Sequence, residues 1–586
     1  MENVDIARAL LDVADLLEIA GDANPFRVRA YRNAARTVEA HTVPLRRMVE
    51  EGADLSELPA IGAEMAGHIA ELVKTGNLTV MRQVAKKVPR TLIDLVRLPG
   101  VGPKRAKRLW LDLDVKTVDQ LERAARAGKV AGLEGFGEKT QQKILEGIGR
   151  RREQPIGRVK LSDADQYVEP LLQHLRAVRG LSHLDVAGSF RRRRETVGDI
   201  DLLAVASEPG PVMERFTAYG DVAEVLASGE TKGSVRLRSG LQVDLRIVAP
   251  ESYGAALVYF TGSKPHNVKL RTRALERGLS ISEYGVFELA GGKRPKGDDG
   301  EAGKFLVGAT EVEVYRAVDL AWIPPELRED QGEIEAAAKG ALPELVTLSD
   351  IRGDLQMHST WSDGIDSAEV MLEACEAKGY EYFALTDHSK ALAMTRGLDL
   401  KRLKEQWSEL DEVTARHPKI RLLRGMEVDI LADGTLDLED EGLAMLDVVV
   451  ISVHSRFDLP KAKQTKRLLK ALEHPQANIL GHPTGRMINE REGMQFDVSE
   501  VFACAKQHGV IVEVNAQPHR LDLKDIHVLE AKRQGLRVVI STDAHRTREL
   551  DFMHYGVEQA RRGWLTSADV VNSLPLSKLQ RLLDKR

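Results

Sequence analysis

Apolar residues near the start of the chain recur at helical spacing. Ile6, Leu10, Leu11 and Leu17 follow a 3.6-residue period, so residues 1–80 read as short amphipathic helices. Asp22-Ala23-Asn24-Pro25 breaks that pattern, and residues 81–150 continue as short helices joined by Gly-rich turns. Near residue 155 the texture changes. Residues 184–187, 200–205 and 241–248 predict strands bordered by turns, which makes 155–320 an α+β region. Ile323-Pro324-Pro325-Glu326 stops regular structure, and the charged stretch to Leu345 predicts a solvated linker. Beyond it, apolar segments at 382–385, 448–451, 510–514 and 538–540 alternate with helical stretches, the pattern of a βα barrel or a doubly wound sheet. The expected divisions are 1–80, 81–154, 155–322, a linker at 323–347, and 348–586.

Composition narrows the class. A chain of 586 residues, 43% hydrophobic and 30% charged, has the length and apolar content for several buried cores. The longest apolar run, 255–260, is too short to span a bilayer, and the acidic N-terminus is unlike a secretory signal. Two distant cysteines, Cys375 and Cys504, exclude a disulfide scaffold and a CxxC zinc module and suit a reducing cytoplasm. The net charge of −5 hides an asymmetry: residues 1–160 carry +6 and the remainder −11. That suggests polyanion binding at one end.

Three segments in the basic part share one design: Leu98-Pro99-Gly100-Val101-Gly102-Pro103-Lys104, Leu133-Glu134-Gly135-Phe136-Gly137, and the weaker Leu58-Pro59-Ala60-Ile61-Gly62. Each sets a tight turn before a new helix. Glycine permits the turn and a close approach, and free N–H groups at the helix start can hold a phosphate. Lys104 and Arg105 add charge just after Gly102. A lone Gly-x-Gly is usually only a turn. Three of them resemble helix-hairpin-helix DNA-binding motifs, which grip backbone rather than sequence.

The sharpest signal begins at Gly188-Ser189-Phe190-Arg191-Arg192 and runs to Gly198-Asp199-Ile200-Asp201. Strand alternation puts Asp199 and Asp201 on one face, and Asp244 lies centrally in another apolar strand. Carboxylates held so close repel unless a cation sits between them. Three on adjacent strands can hold two Mg²⁺ or Mn²⁺ ions, one activating a 3′-hydroxyl and one steadying pyrophosphate. The Gly-Ser turn offers donors to phosphate oxygens, and Arg192 offers a fork.

This constellation resembles the nucleotidyltransferase core of family X DNA polymerases. Tyr259-Phe260-Thr261-Gly262-Ser263, with Asn267 and Arg271, resembles that family's nucleotide-binding segment. The resemblance implies that Tyr259 and Phe260 line the sugar site, that Gly262 shapes the turn, and that Asn267 and Arg271 touch the nascent pair and template. It also implies that Ser189, Arg192 and Gly198 contact the triphosphate. Glu283-Tyr284-Gly285-Val286-Phe287 resembles the closing segment, with Ser282 where Asn is common. Members with 5′-deoxyribose-phosphate lyase activity carry a Schiff-base lysine after the first hairpin. Alignment on Pro59 and Gly62 puts His68 there, and an imidazole cannot replace the amine. Lys74 and Lys87 are nearby, with nothing in the sequence assigning them the role.

Histidines concentrate after residue 348, several next to predicted strand ends, in motifs containing His358, Asp363, His388, Glu427, His454, His482, Asp543 and His545. In a βα barrel such ends converge on one mouth. His, Asp and Glu together suit Mn²⁺ or Zn²⁺, and a water between such ions can attack a phosphodiester. The series resembles the PHP (polymerase and histidinol phosphatase) domain, associated in bacterial family X polymerases with 3′–5′ exonuclease activity. The resemblance makes those eight residues the ligands. Gln356 departs from it, standing where His-x-His is usual, and a neutral carbonyl is a weaker donor.

The expected protein is therefore a DNA polymerase filling short gaps in repair, acting on gapped or primer-template DNA and dNTPs, with a PHP exonuclease. It would be cytoplasmic and nucleoid-associated, with repair partners that the sequence does not identify. The alternatives are a structural PHP region beside a working polymerase, a nuclease whose polymerase part delivers DNA, and an end-binding scaffold. The three-carboxylate set disfavours the last, and Gln356 disfavours the nuclease.

Overall fold

The computed structural model describes residues 3–21, 24–39, 45–98, 100–153, 158–289 and 303–584. Asp22, Ala23, Pro99 and the expected boundary at 154–157 lie outside the described residues. The chain divides into two compact units, Met1–Asp185 with Thr196–Ile247, and Val186–Glu195 with Val248–Arg586. The segment expected as one α+β region at 155–322 is thus shared between them.

The first unit opens with short helices from Asn3–Ala20 to Glu138–Glu153. Ile6, Leu10 and Leu17 point into one core with Ile69, Leu72, Leu95, Leu109 and Ile144. Leu11 does not join them and is exposed, because one residue on from Leu10 turns about 100° off the stripe. A five-stranded sheet follows, in the order Leu181–Val186, Asp199–Ala206, Gln242–Ile247, Lys232–Leu237, Val222–Ser228. Its two central strands run parallel. Ile200, Leu202, Val243 and Leu245 are buried on one face, while Asp201 and Asp244 alternate onto the other and are half-buried.

The second unit contains the helices Tyr253–Thr261 and Lys264–Leu275 and a three-stranded antiparallel sheet, Leu279–Ser282, Gly285–Leu289 and Gly303–Val307. The stretch 323–347, expected as a solvated linker, is instead packed. Ile323, Leu327, Ile334 and Ala337 enter the core with Val258 and Leu270. Its charges misled because they are matched in the interior. The fully buried Arg328 pairs with Glu311 at 2.8 Å, and buried Glu333 lies 2.6 Å from His266.

From Gly353 the chain forms seven parallel strands in sequence order, Gly353–Asp354, Tyr382–Leu385, Arg421–Asp429, Val448–Ser452, Ile479–Leu480, Ile511–Asn515 and Val538–Ser541. The first and last are tied beyond their ends. Asp543 N–H donates to the Gln356 carbonyl at 3.0 Å, and His358 N–H to the Ala544 carbonyl at 2.8 Å. The barrel-like expectation holds, and His358 and His545 lie beside this seam while His388, His454 and His482 follow the ends of other strands.

Candidate active sites

The three hairpins share one backbone. Ala60, Gly100 and Gly135 have φ of 59°, 82° and 81°. In each, the next N–H returns to the residue three before it: Ile61 to Leu58, Val101 to Leu98 and Phe136 to Leu133, at 3.0–3.1 Å. Gly62 and Gly102 then cap new helices with nearly identical dihedrals, φ −81° ψ 174° and φ −83° ψ 174°. Gly137 precedes the helix Glu138–Glu153. Cβ atoms on Gly62, Gly102, Gly135 or Gly137 would meet nothing within 4 Å, so each turn faces open space. Lys104 is exposed on the first turn of its helix. Arg105, expected to add charge for phosphate, donates to the Gly100 carbonyl at 2.8 Å and braces the turn.

Asp201 and Asp244 are register partners on neighbouring parallel strands, and Asp199 begins the first of them. Gln242 Nε2 lies 3.2 Å from both oxygens of Asp244. A Cβ on Gly198 would stand 3.4 Å from Arg158 Nη1.

In the other unit, Gly188 starts a single helical turn with φ of 64°, and Ser189 is half-buried within it. Arg192 Nε donates to Glu329 Oε1 at 3.0 Å, and its Nη1 donates to the Thr261 carbonyl. Burial would raise the Glu329 carboxyl, but Arg562, Arg192 and Arg194 outweigh it and hold it below 4.5. Tyr259 and Phe260 meet edge to face with centroids 5.1 Å apart at the end of their helix, before Gly262. Asn267 Nδ2 donates to the Tyr259 carbonyl at 2.7 Å, and its Oδ1 is buried without a hydrogen bond. Arg271 is half-buried one turn further on.

All eight histidines and acids marked after residue 348 come together. Ligand atoms converge in three overlapping groups: His358, Asp363, His388 and His545; His388, Glu427 and His454; and His358, Glu427 and Asp543. His482 joins through Nε2, 2.8 Å from Glu427 Oε1. Glu427 is the hub, with His358 and His388 each 3.3 Å from Oε2 and His454 3.2 Å from Oε1. Asp543 adopts a left-handed backbone, φ 52°, a strain of about 1 kcal/mol held by its bonds to Gln356 and Gln517.

The electrostatics are those of a cation site. Burial would raise the Glu427 and Asp543 carboxyls, yet the imidazoles around them hold both well below the usual range. Burial drives His388 down to about 3, while His454 rises to about 9 because Glu427 and Asp429 outweigh burial. His358 Nδ1 and His482 Nδ1 are buried without hydrogen-bond partners. Imidazole nitrogens left unpaired beside crowded carboxylates fit divalent metal ions as the missing partner.

Family models match a helix-hairpin-helix domain at residues 1–78, a SAM-like helix-hairpin-helix tandem at 92–150, the DNA polymerase beta thumb at 256–329 and the PHP domain at 354–517. The DNA polymerase/3′–5′ exonuclease PolX of Bacillus subtilis (strain 168) is 39% identical across 100% of both chains. The chain belongs to the PolX family of DNA polymerases. DNA polymerase lambda of Rattus norvegicus is 23% identical over 56% of each chain. A protein of Thermoanaerobacter sp. (strain X514) named as a probable phosphatase is 23% identical over 39% of this chain and 92% of its own length.

Within this PolX chain, two departures have structural correlates. His68 stacks on Tyr31 with centroids 5.6 Å apart, and its Nδ1 lies 3.0 Å from the Tyr31 hydroxyl. Gln356 is fully buried, with neither amide atom hydrogen-bonded. Sequence reading missed the residues that orient the PHP cluster. Asp429 lies 3.4 Å from His454 Nδ1, Glu513 accepts the His482 N–H at 2.5 Å, and Asn515 donates to Asp543 at 3.1 Å. Glu513 carried a readable signal: it is a carboxylate inside an apolar strand, as Asp244 is. Both cysteines are free thiols, and among the described residues no helix is long and apolar enough to cross a membrane.

Proposed function

We propose that the chain fills short gaps in DNA during repair, base excision repair included, and trims 3′ ends. Nucleotide addition would occur at Asp199, Asp201 and Asp244, and phosphodiester cleavage at the PHP cluster. The observation that carries the first activity is the parallel register opposing Asp201 to Asp244 in a chain of this family. Mg²⁺ or Mn²⁺ at the carboxylates, and Mn²⁺ or Zn²⁺ at the imidazole-rich cluster, would supply charge neutralisation and activation of the attacking oxygen.

The chain's own groups do the positioning. The exposed hairpin turns hold the DNA backbone through N–H groups at Gly100, Gly102, Gly135 and Gly137, with Lys104 beside them. Ser189 offers its hydroxyl to the triphosphate, and Arg192 offers its guanidinium after leaving Glu329. Gly198 contacts the triphosphate beside Asp199. Tyr259 and Phe260 pack against the sugar, Gly262 sets the turn behind them, and Asn267, pinned to the Tyr259 carbonyl, faces the nascent pair with Arg271. Gapped DNA and dNTPs are the substrates.

A second reading, with the PHP region structural, is favoured only by Gln356. Extension and degradation of a gapped primer, with Asp201→Ala and His545→Ala tested separately, distinguishes them. Loss of extension in the first and of degradation in the second supports two working sites. Undiminished extension by Asp201→Ala refutes the polymerase assignment.

A further inference from the structure

The turn that carries Arg192 is held by side chains from the PHP region. Arg562 Nη1 donates to the Arg192 backbone carbonyl at 2.7 Å and to Glu329 Oε1 at 3.1 Å. The same Glu329 oxygen accepts from Arg192 Nε at 3.0 Å, with Arg194 Nη1 3.6 Å away. On either side, Arg193 lies 2.8 Å from Glu558, and Arg486 lies 2.7 Å from Glu195. Arg562 is buried and is also paired with Asp525, so it is fixed from both ends.

Charge bookkeeping at this contact is uneven. Arg192, Arg194 and Arg562 meet two carboxylates, Glu329 and Asp525. A single oxygen of Glu329 serves both Arg192 and Arg562. If Arg192 swings to an anion, Glu329 keeps a buried cation and is not stranded, which is the usual cost of breaking a buried pair. Without Arg562, Arg192 and Arg194 would be the remaining cations at Glu329, and Glu329 would retain Arg192 more strongly.

We propose that Arg562 and Glu329 are positioning residues for the incoming nucleotide: Arg562 fixes the Arg192 carbonyl and shares Glu329, so that Arg192 can transfer to the triphosphate. The PHP region then contributes directly to nucleotide affinity at the polymerase site, apart from any degradation at its own metal cluster. The proposal rests on the reading that Arg192 contacts the triphosphate.

The test uses the full chain on a single-nucleotide gap, with kcat and the KM for dNTP measured separately. Arg562→Ala should raise KM about tenfold, the scale of one charge-assisted hydrogen bond, with a much smaller change in kcat. Arg562→Lys should recover part of that loss, since an ammonium can serve some of the three acceptors, the Arg192 carbonyl, Glu329 and Asp525. Glu329→Gln should lower KM by releasing Arg192, and in that background Arg562→Ala should raise KM less than about threefold, because the retaining charge is gone. A full tenfold rise in the Glu329→Gln background, or a KM that Glu329→Gln leaves unchanged or raises, overturns the proposal. So does an unchanged KM in Arg562→Ala when Arg192→Ala raises it. If Arg192→Ala leaves KM unchanged, the underlying reading of Arg192 fails instead. Should Arg562→Ala not fold, Arg562→Lys and Glu329→Gln still decide by their KM values.

Discussion

Asp201 and Asp244 face each other across the parallel pair formed by Asp199–Ala206 and Gln242–Ile247. Neighbouring strands lie about 4.8 Å apart, so the two carboxylates share one face at a separation that favours a bridging cation. Both are half-buried at the sheet surface rather than in the core. Asp201→Ala should therefore lower nucleotide addition by about 10³-fold while leaving folding and DNA binding unchanged. Single-turnover extension beside a gel-shift titration checks both halves.

Gly102 separates binding from folding. Its φ of −83° suits any residue, and a Cβ there meets nothing. Gly102→Val should leave the melting temperature unchanged and weaken binding to all DNA sequences alike, because the lost contact is to backbone. Gly100, with φ of 82°, is different. Gly100→Val should destabilise the chain by about 1–2 kcal/mol through left-handed strain. Melting curves and affinities for two unrelated sequences test the contrast.

At the PHP cluster, His545→Ala removes an imidazole from the group it forms with His358, Asp363 and His388. Degradation should disappear while extension persists. Gln356→His replaces an amide with no hydrogen-bond partner by an imidazole, and should lower the Mn²⁺ concentration needed for half-maximal degradation. Degradation rate against Mn²⁺ concentration for the parent and both variants is the measurement. Equal degradation by His545→Ala would make the cluster structural.

Glu311 gives a pH signature. It pairs with Arg191 at 2.7 Å and Arg328 at 2.8 Å, and it accepts Trp322 Nε1–H at 2.9 Å. Burial would raise its carboxyl, but Arg328 and Arg191 outweigh that and hold it at about 2. The folded chain thus binds fewer protons than the unfolded one. The stabilisation is complete above the ordinary value of 4.5 and is lost as pH falls from there through 2. The depression corresponds to about 3 kcal/mol. Glu311→Gln should lower stability at pH 6 and flatten its decline between pH 5 and 3, as seen in denaturant midpoints.

The parts legible in the sequence were those whose chemistry forces a local pattern. Gly-x-Gly before a helix, Asp-x-Asp in an apolar strand, and histidines next to strand ends each announce themselves over a few residues. What escaped notice depends on partners far away in the chain. Residues 323–347 looked solvated because Arg328 and Glu333 are charged, and only the fold supplies Glu311 and His266 as their buried partners. Ala60 looked like a weaker hairpin residue, yet it takes the same left-handed turn as Gly100 and Gly135. Asp429 and Asn515 act by orienting His454 and Asp543, a role with no spacing of its own.

The seam between the first and last barrel strands sets an order in time. His358 and Asp543 meet at 3.0 Å although 185 residues separate them. During synthesis, the carboxylate pair at 201 and 244 has left the ribosome long before residue 543 is made. A nascent chain can therefore have Asp201 and Asp244 on one face of their sheet while His358 still lacks Asp543. A chain cut short before residue 543 would lack that closing carboxylate and, with it, the Arg562 that holds the Arg192 turn.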